Sequence, residues 1–189
     1  MYFPHYMYPR YYVNAPTPYL RQHPVYWGYP QAIDNRNGHP FRQMEAEEEN
    51  RVFKDQGKQP YVINIEEAAK RNRTFRNALW TGKHLQVTLM SIGVGEDIGL
   101  EVHHHVDQFI RIERGQGLVQ IGDTKNNLSY EKRVSDNHAI MVPAGKWHNV
   151  TNTGNAPLKL YTIYAPPEHP FGTVHETKAD AMKAEEGHR

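Results

Sequence analysis

The chain has 189 residues, 22 Lys and Arg against 21 Asp and Glu, and no cysteine. The missing thiols exclude disulfides, Cys-ligated zinc, iron–sulfur clusters and thiol catalysis, and a net charge of +1 excludes the strong positive field used to bind nucleic acid or anionic membranes. No run reaches the roughly 20 apolar residues of a membrane span.

Residues 1–30 hold 8 of the 12 tyrosines and 6 of the 13 prolines. Proline at that density blocks helix and ladder hydrogen bonds, so this tail is expected to be extended, polyproline-like or disordered. Its tyrosines are broken up by prolines, His5 and Arg10, which makes no signal-peptide core. Residues 31–59 read as a linker, with Asn35, Asn37, Gly38 and Pro40 in loops and a short Glu-rich helix over Met44–Lys54.

From Pro60 the pattern changes. Tyr61–Ile65 alternates as a strand does, and Glu66–Arg73 fits one or two helical turns. The basic run Lys70, Arg71, Arg73 and Arg76 reads as a solvated face beside that helix. Strands are then expected at Leu85–Ile92, Leu100–His105, Gln108–Glu113, Gly117–Ile121, His138–Val142, Trp147–Thr151 and Leu158–Tyr164. Each is short and bounded by turn residues, the rhythm of an all-β sandwich or barrel. Gly93, Gly95 and Gly99 lie between strands with no helix following, so they are turn glycines and not a nucleotide loop. Lys178–Arg189 reads as a charged, frayed helix. The organisation is thus a tail and acidic linker over 1–59, one β domain over 60–170 and a C-terminal extension over 171–189.

Chemistry concentrates on histidines. In a strand, side chains alternate faces, so His103 and His105 would share one side and His104 the other. Some forty residues on, Pro143 and Gly145 make a tight turn into a strand carrying His148. Folded into one barrel, that strand can bring His148 to the same interior point.

The residues Gly99-x-x-x-His103-x-His105, with Gln108 and Gly115, resemble the first cupin motif. Pro143-x-Gly145-x-x-His148-x-x-x-Asn152 resembles the second. The resemblance covers about residues 60–170. It implies an all-β cupin jelly-roll barrel, a double-stranded β-helix, here with an extended N-terminal tail and short helical segments. It also implies one divalent metal ion inside, on His103, His105 and His148. Many cupins add a glutamate after the second histidine; here that place falls on Gln108. A set of His103, Gln108 and His148, completed by His105 or water, therefore stays open. A glutamine oxygen cancels none of the ion's charge, which predicts weaker metal binding and stronger polarisation of a bound oxygen. Imidazole with oxygen donors suits Mn, Fe, Ni, Zn or Cu alike.

Substrate contacts are sought on the face shared by His84, Gln86, Thr88 and Met90, with His84 and Gln86 as candidates and Tyr161 and His175 as further ones. Ala165–Thr177 resembles a bacterial subgroup of small single cupins, often labelled by similarity to sugar-phosphate isomerases. The subgroup implies a homodimer or larger homo-assembly and a cytoplasmic protein.

Three functions fit. The first is a metal-dependent isomerase, dioxygenase, decarboxylase or lyase acting on a small polar substrate. The second is a structural protein of a bacterial spore coat, assembled through the tyrosine-rich tail, which resembles tails of such proteins. The third is a non-catalytic module binding a small molecule or carbohydrate. None involves nucleic acid or a membrane.

Overall fold

The computed structural model describes residues 52–186. The tail, and with it the coat-assembly reading, lies outside the described residues, as does most of the helix expected over Met44–Lys54. Among the described residues no helix is long and apolar enough to cross a membrane.

Two antiparallel sheets face each other, as expected for the jelly roll. The strands are β1 (Arg76–Thr81), β2 (Gln86–Ile92), β3 (Glu101–Val102), β4 (Asp107–Arg114), β5 (Gln116–Gly122), β6 (Tyr130–Ser135), β7 (Ala139–Val142), β8 (Trp147–Asn152), β9 (Leu158–Ala165) and β10 (Val174–His175). One sheet runs β10-β1-β2-β9-β4-β7 and the other β3-β8-β5-β6. The helices are α1 (Ile65–Arg71) and α2 (Lys178–Glu186).

The interior is graded along the barrel axis, and register produces the grading. Gln86 pairs with Tyr164, Tyr164 with Gln108, and Gln108 with Val142. The next rank is Thr88, Thr162, Ile110 and Ile140; then come Met90, Leu160 and Ile112; then Ile92 and Leu158. All of these are buried. One end of the barrel is therefore closed by aliphatic side chains, joined by Phe75, Val119 and Val150, each contributing about 1.5–3 kcal/mol of transfer free energy. The other end is lined by amides, hydroxyls and histidine.

Several expectations are corrected. Tyr61–Ile65 is not a strand. The Asn64 side chain accepts from the Glu67 amide at 3.2 Å, and this cap starts α1 at Ile65. Glu66 and Glu67 suit its first turn. α1 then covers the outer face of the larger sheet, with Ala68 and Ala69 packed on Leu79 and Leu89. β1, β6 and β10 were not expected. β1 is covered on both faces, so its sequence RNALWT does not alternate. β6, YEKRVS, is an edge strand with only Val134 buried. Arg76 is not on a solvated face: it is 1% exposed, in β1 opposite His175.

The most consequential correction is at the histidine run. The strand expected over Leu100–His105 ends at Val102, and His103–Val106 turns away from it. The His103 carbonyl accepts from the Gly145 amide at 2.8 Å, tying this turn to the Pro143–Lys146 turn. Gly145 takes φ +81°, which suits glycine there. Strand alternation therefore does not govern His103 and His105.

Candidate metal centre

The polar end of the barrel gathers Glu101, His103 and His148, each offering one donor atom, all within 4.8 Å of one another. Glu101 lies on β3 directly opposite His148 on β8, so a two-residue strand pairing sets the carboxylate beside the imidazole. Glu101 Oε1 is 3.3 Å from His103 Nε2 and 3.3 Å from His148 Nε2. Both Nε2 atoms are buried without a hydrogen-bond partner. Donors about 2.05 Å from a tetrahedral zinc stand about 3.3 Å apart, so these separations fit an ion-binding edge.

Each imidazole is oriented from its far side. His148 Nδ1 is 3.0 Å from the Lys146 carbonyl, and a proton there turns the Nε2 lone pair inward. His103 Nδ1 lies 3.0 Å from Glu168 Oε1. Carboxylate and carbonyl partners of this kind fix the tautomer of metal-binding histidines and raise their basicity. Burial works against charge on both His103 and Glu101. For His103, Glu101 and Glu168 outweigh it and raise the imidazole to about 9. For Glu101, His103, His148 and Arg76 outweigh it and hold the carboxyl well below the usual range.

Two of the expected residues, His103 and His148, are in this group. Gln108 is buried on β4 of the facing sheet, opposite Tyr164, whose ring meets the His103 ring edge-on at 5.5 Å. Gln108 Nε2 donates to Thr162 Oγ1 at 3.1 Å, leaving Oε1 buried without a partner. His105 is exposed beside His104 and stands apart from the group. The third member of the group is Glu101, which the sequence reading missed. The signal was present: Glu101 is also two residues from His103.

A cleft of about 530 Å³ opens over the group, walled by Leu100, Val102, Trp147 and Pro170 and carrying Glu168, His169 and His175 among its polar groups. Of the expected substrate contacts, His175 lines it. Gln86 sits behind it and holds a loop in place. Its Nε2 donates to the His169 carbonyl at 2.9 Å, and its Oε1 accepts from the His169 amide at 3.0 Å. His169 is thereby held against the Tyr164 ring at 5.0 Å. Burial, then Arg76, lowers the His169 imidazole to about 3, so it stays neutral. His84 is exposed in the turn before β2, and Tyr161 points to the outer face with the α1 cluster. Asn152, from the second motif, is a tether: its amide donates to the carbonyls of Ile92, Gly93 and Ala156.

Two facing antiparallel sheets, with a histidine–carboxylate group at their polar end, define a cupin. The cupin-domain family model (Cupin_2) matches residues 88–164, and the chain belongs to the cupin family. It is 57% identical over 176 residues to YrkC of Bacillus subtilis (strain 168), covering 93% of this chain and 94% of YrkC. Protein L612 of Acanthamoeba polyphaga mimivirus is 39% identical over 117 residues, covering 61% of this chain and 71% of L612. The crystal structure of BH2720 from Bacillus halodurans matches with a TM-score of 0.68 at 67% identity, covering 69% of this chain and 98% of that one.

Proposed function

We propose that this cupin is a divalent-metal-dependent enzyme acting on a small polar substrate in the cleft above Glu101, His103 and His148. The observation that carries this is the pair of buried Nε2 atoms, neither in a well-aligned hydrogen bond, converging at 3.3 Å on one carboxylate oxygen. Buried polar atoms left unsatisfied cost about 1–3 kcal/mol each, and a cation shared with the Glu101 carboxylate satisfies both imidazoles.

Two imidazoles and one carboxylate are the donor set of non-haem iron(II) oxygenases and of some catalytic zinc sites. Gln108 Oε1 is the fourth donor in this reading. A divalent ion held there would act as a Lewis acid on a substrate or water oxygen. The protein's own residues do the rest. Glu168 and the Lys146 carbonyl hold the two imidazoles in their ligand tautomers. Leu100, Val102 and Trp147 keep water off one wall of the cleft. His169, neutral and clamped by Gln86, presents a buried Nε2 with no partner, able to accept or donate one hydrogen bond to a ligand.

The test is metal content by mass spectrometry of the full-length untagged protein beside His148→Ala. About one metal per chain, lost in the variant, supports the reading, and the ion found narrows the chemistry. Iron directs the next assay to oxygen consumption; manganese, nickel or zinc directs it to isomerase, lyase or decarboxylase reactions. No metal in either protein, even after incubation with each ion, overturns it.

A further inference from the structure

Arg76 is the least expected residue beneath the cleft, behind the lining residues Glu101 and Glu185. It is buried to 1% exposure, and its Nε has no hydrogen-bond partner. Two carboxylates approach it, and they differ in kind. Glu101, on the floor, stands 3.6 Å from Nη2 and belongs to the donor group. Glu185 comes from α2 at the rim: Nη1 donates to its Oε1 at 3.3 Å, and its side chain is 52% exposed. A half-exposed glutamate on a surface helix is a weak and replaceable partner for a buried guanidinium. The charge of Arg76 also acts on Tyr164, His169 and His175. Each of these has a buried polar atom without a partner: the Tyr164 hydroxyl, His169 Nε2 and His175 Nδ1. Polar atoms without a partner thus lie within electrostatic reach of a guanidinium that also meets a carboxylate at the rim.

We propose that Arg76 anchors the carboxylate of a small carboxylic-acid ligand, with Glu185 as the intramolecular placeholder that the ligand displaces. The inference deepens the enzyme reading, since this anchor would hold the substrate beside the donor group. A planar guanidinium with a free Nε matches a carboxylate through two parallel hydrogen bonds. Glu185 meets the guanidinium at Nη1, on the side that faces the cleft rim, with the same chemical group, which identifies the ligand class. The apolar walls suit the ligand's carbon skeleton, and α2 supplies the exchange without leaving the core, because Ala181 remains packed there.

The probe is malonate, with malonamide as its neutral counterpart and inorganic phosphate as a different anion, titrated into the full-length protein by calorimetry with and without bound metal. The anchor predicts that the metal-free protein binds malonate at least about tenfold more tightly than malonamide or phosphate. Glu185→Gln removes the competitor and tightens malonate several-fold; Arg76→Gln weakens it about tenfold or more. In the double variant the Glu185→Gln gain disappears, whereas a general change in surface charge would leave it intact. Glu185 is half-exposed, so its variant keeps the fold and the test survives even where Arg76→Gln unfolds. Equal binding of malonate and malonamide, preference for phosphate, or unchanged malonate affinity in Glu185→Gln overturns the proposal. Malonate binding that needs metal and ignores both variants overturns the anchor while leaving the metal centre standing. The expected variant effects in a protein that takes up no metal would leave the anchor and remove the metal centre.

Discussion

Replacing Glu101 by glutamine keeps shape and removes one charge. In the proposed metal centre, that charge would belong to a direct donor: Glu101 Oε1 lies 3.3 Å from both imidazole Nε2 atoms. At the effective dielectric of protein sites, about 20, a unit charge pair at about 4 Å is worth about 4 kcal/mol, and a divalent ion doubles it. Hydration of the free ion offsets much of this. A net loss of about 2.7 kcal/mol, or about 100-fold in metal affinity, is the expected floor. The metal-free protein should weaken as well, since Arg76 Nη2 and His103 lose a carboxylate in a buried cluster. Breaking such a pair costs about 3–5 kcal/mol, less here because Arg76 keeps Glu185. Zinc and manganese titrations by calorimetry, with melting curves in chelator, read the two effects separately. Wild-type metal affinity alongside a lowered melting temperature would refute the donor role and leave Glu101 as an ion-pair partner only.

His148→Ala should abolish metal uptake, whereas His105→Ala should leave affinity within about twofold, both read by the same titrations. Metal affinity should rise about tenfold per pH unit and flatten near pH 9: His103 is raised to about 9 in the metal-free protein, so below that pH the ion must displace its proton. In Glu101→Gln the flattening should move to lower pH, because the proton on His103 loses its principal partner. Glu168→Gln should lower metal affinity about 10–100-fold while leaving all three donors in place. Leu158→Ala, at the aliphatic end of the barrel, should cost about 2–5 kcal/mol in denaturant unfolding without changing metal stoichiometry.

While the jelly roll itself was implied by the resemblance to cupin motifs, the residue pattern alone determined the strand rhythm, an all-β sandwich or barrel, and the strand carrying His148. Each followed from local rules: alternation in β2, β4 and β9, and a proline–glycine turn that allows φ +81° at Gly145. The same rules failed where an element's environment set its pattern. β1 shows no alternation because both of its faces are covered, and Tyr61–Ile65 alternates without a neighbouring strand to pair with. Arg76 looked like part of a solvated run, and only the pairing of β1 with β10 and the packing of α2 buried it. The candidate donor group turned on one such point. His103 is two residues from both Glu101 and His105, and alternation admits either neighbour equally. The tertiary structure chose Glu101, because β3 stops at Val102, its pairing with β8 sets Glu101 opposite His148, and the turn that follows leaves His105 in solvent. A spacing of two residues specifies a shared face only while the strand continues, and where it ends is decided by its partners across the sheet.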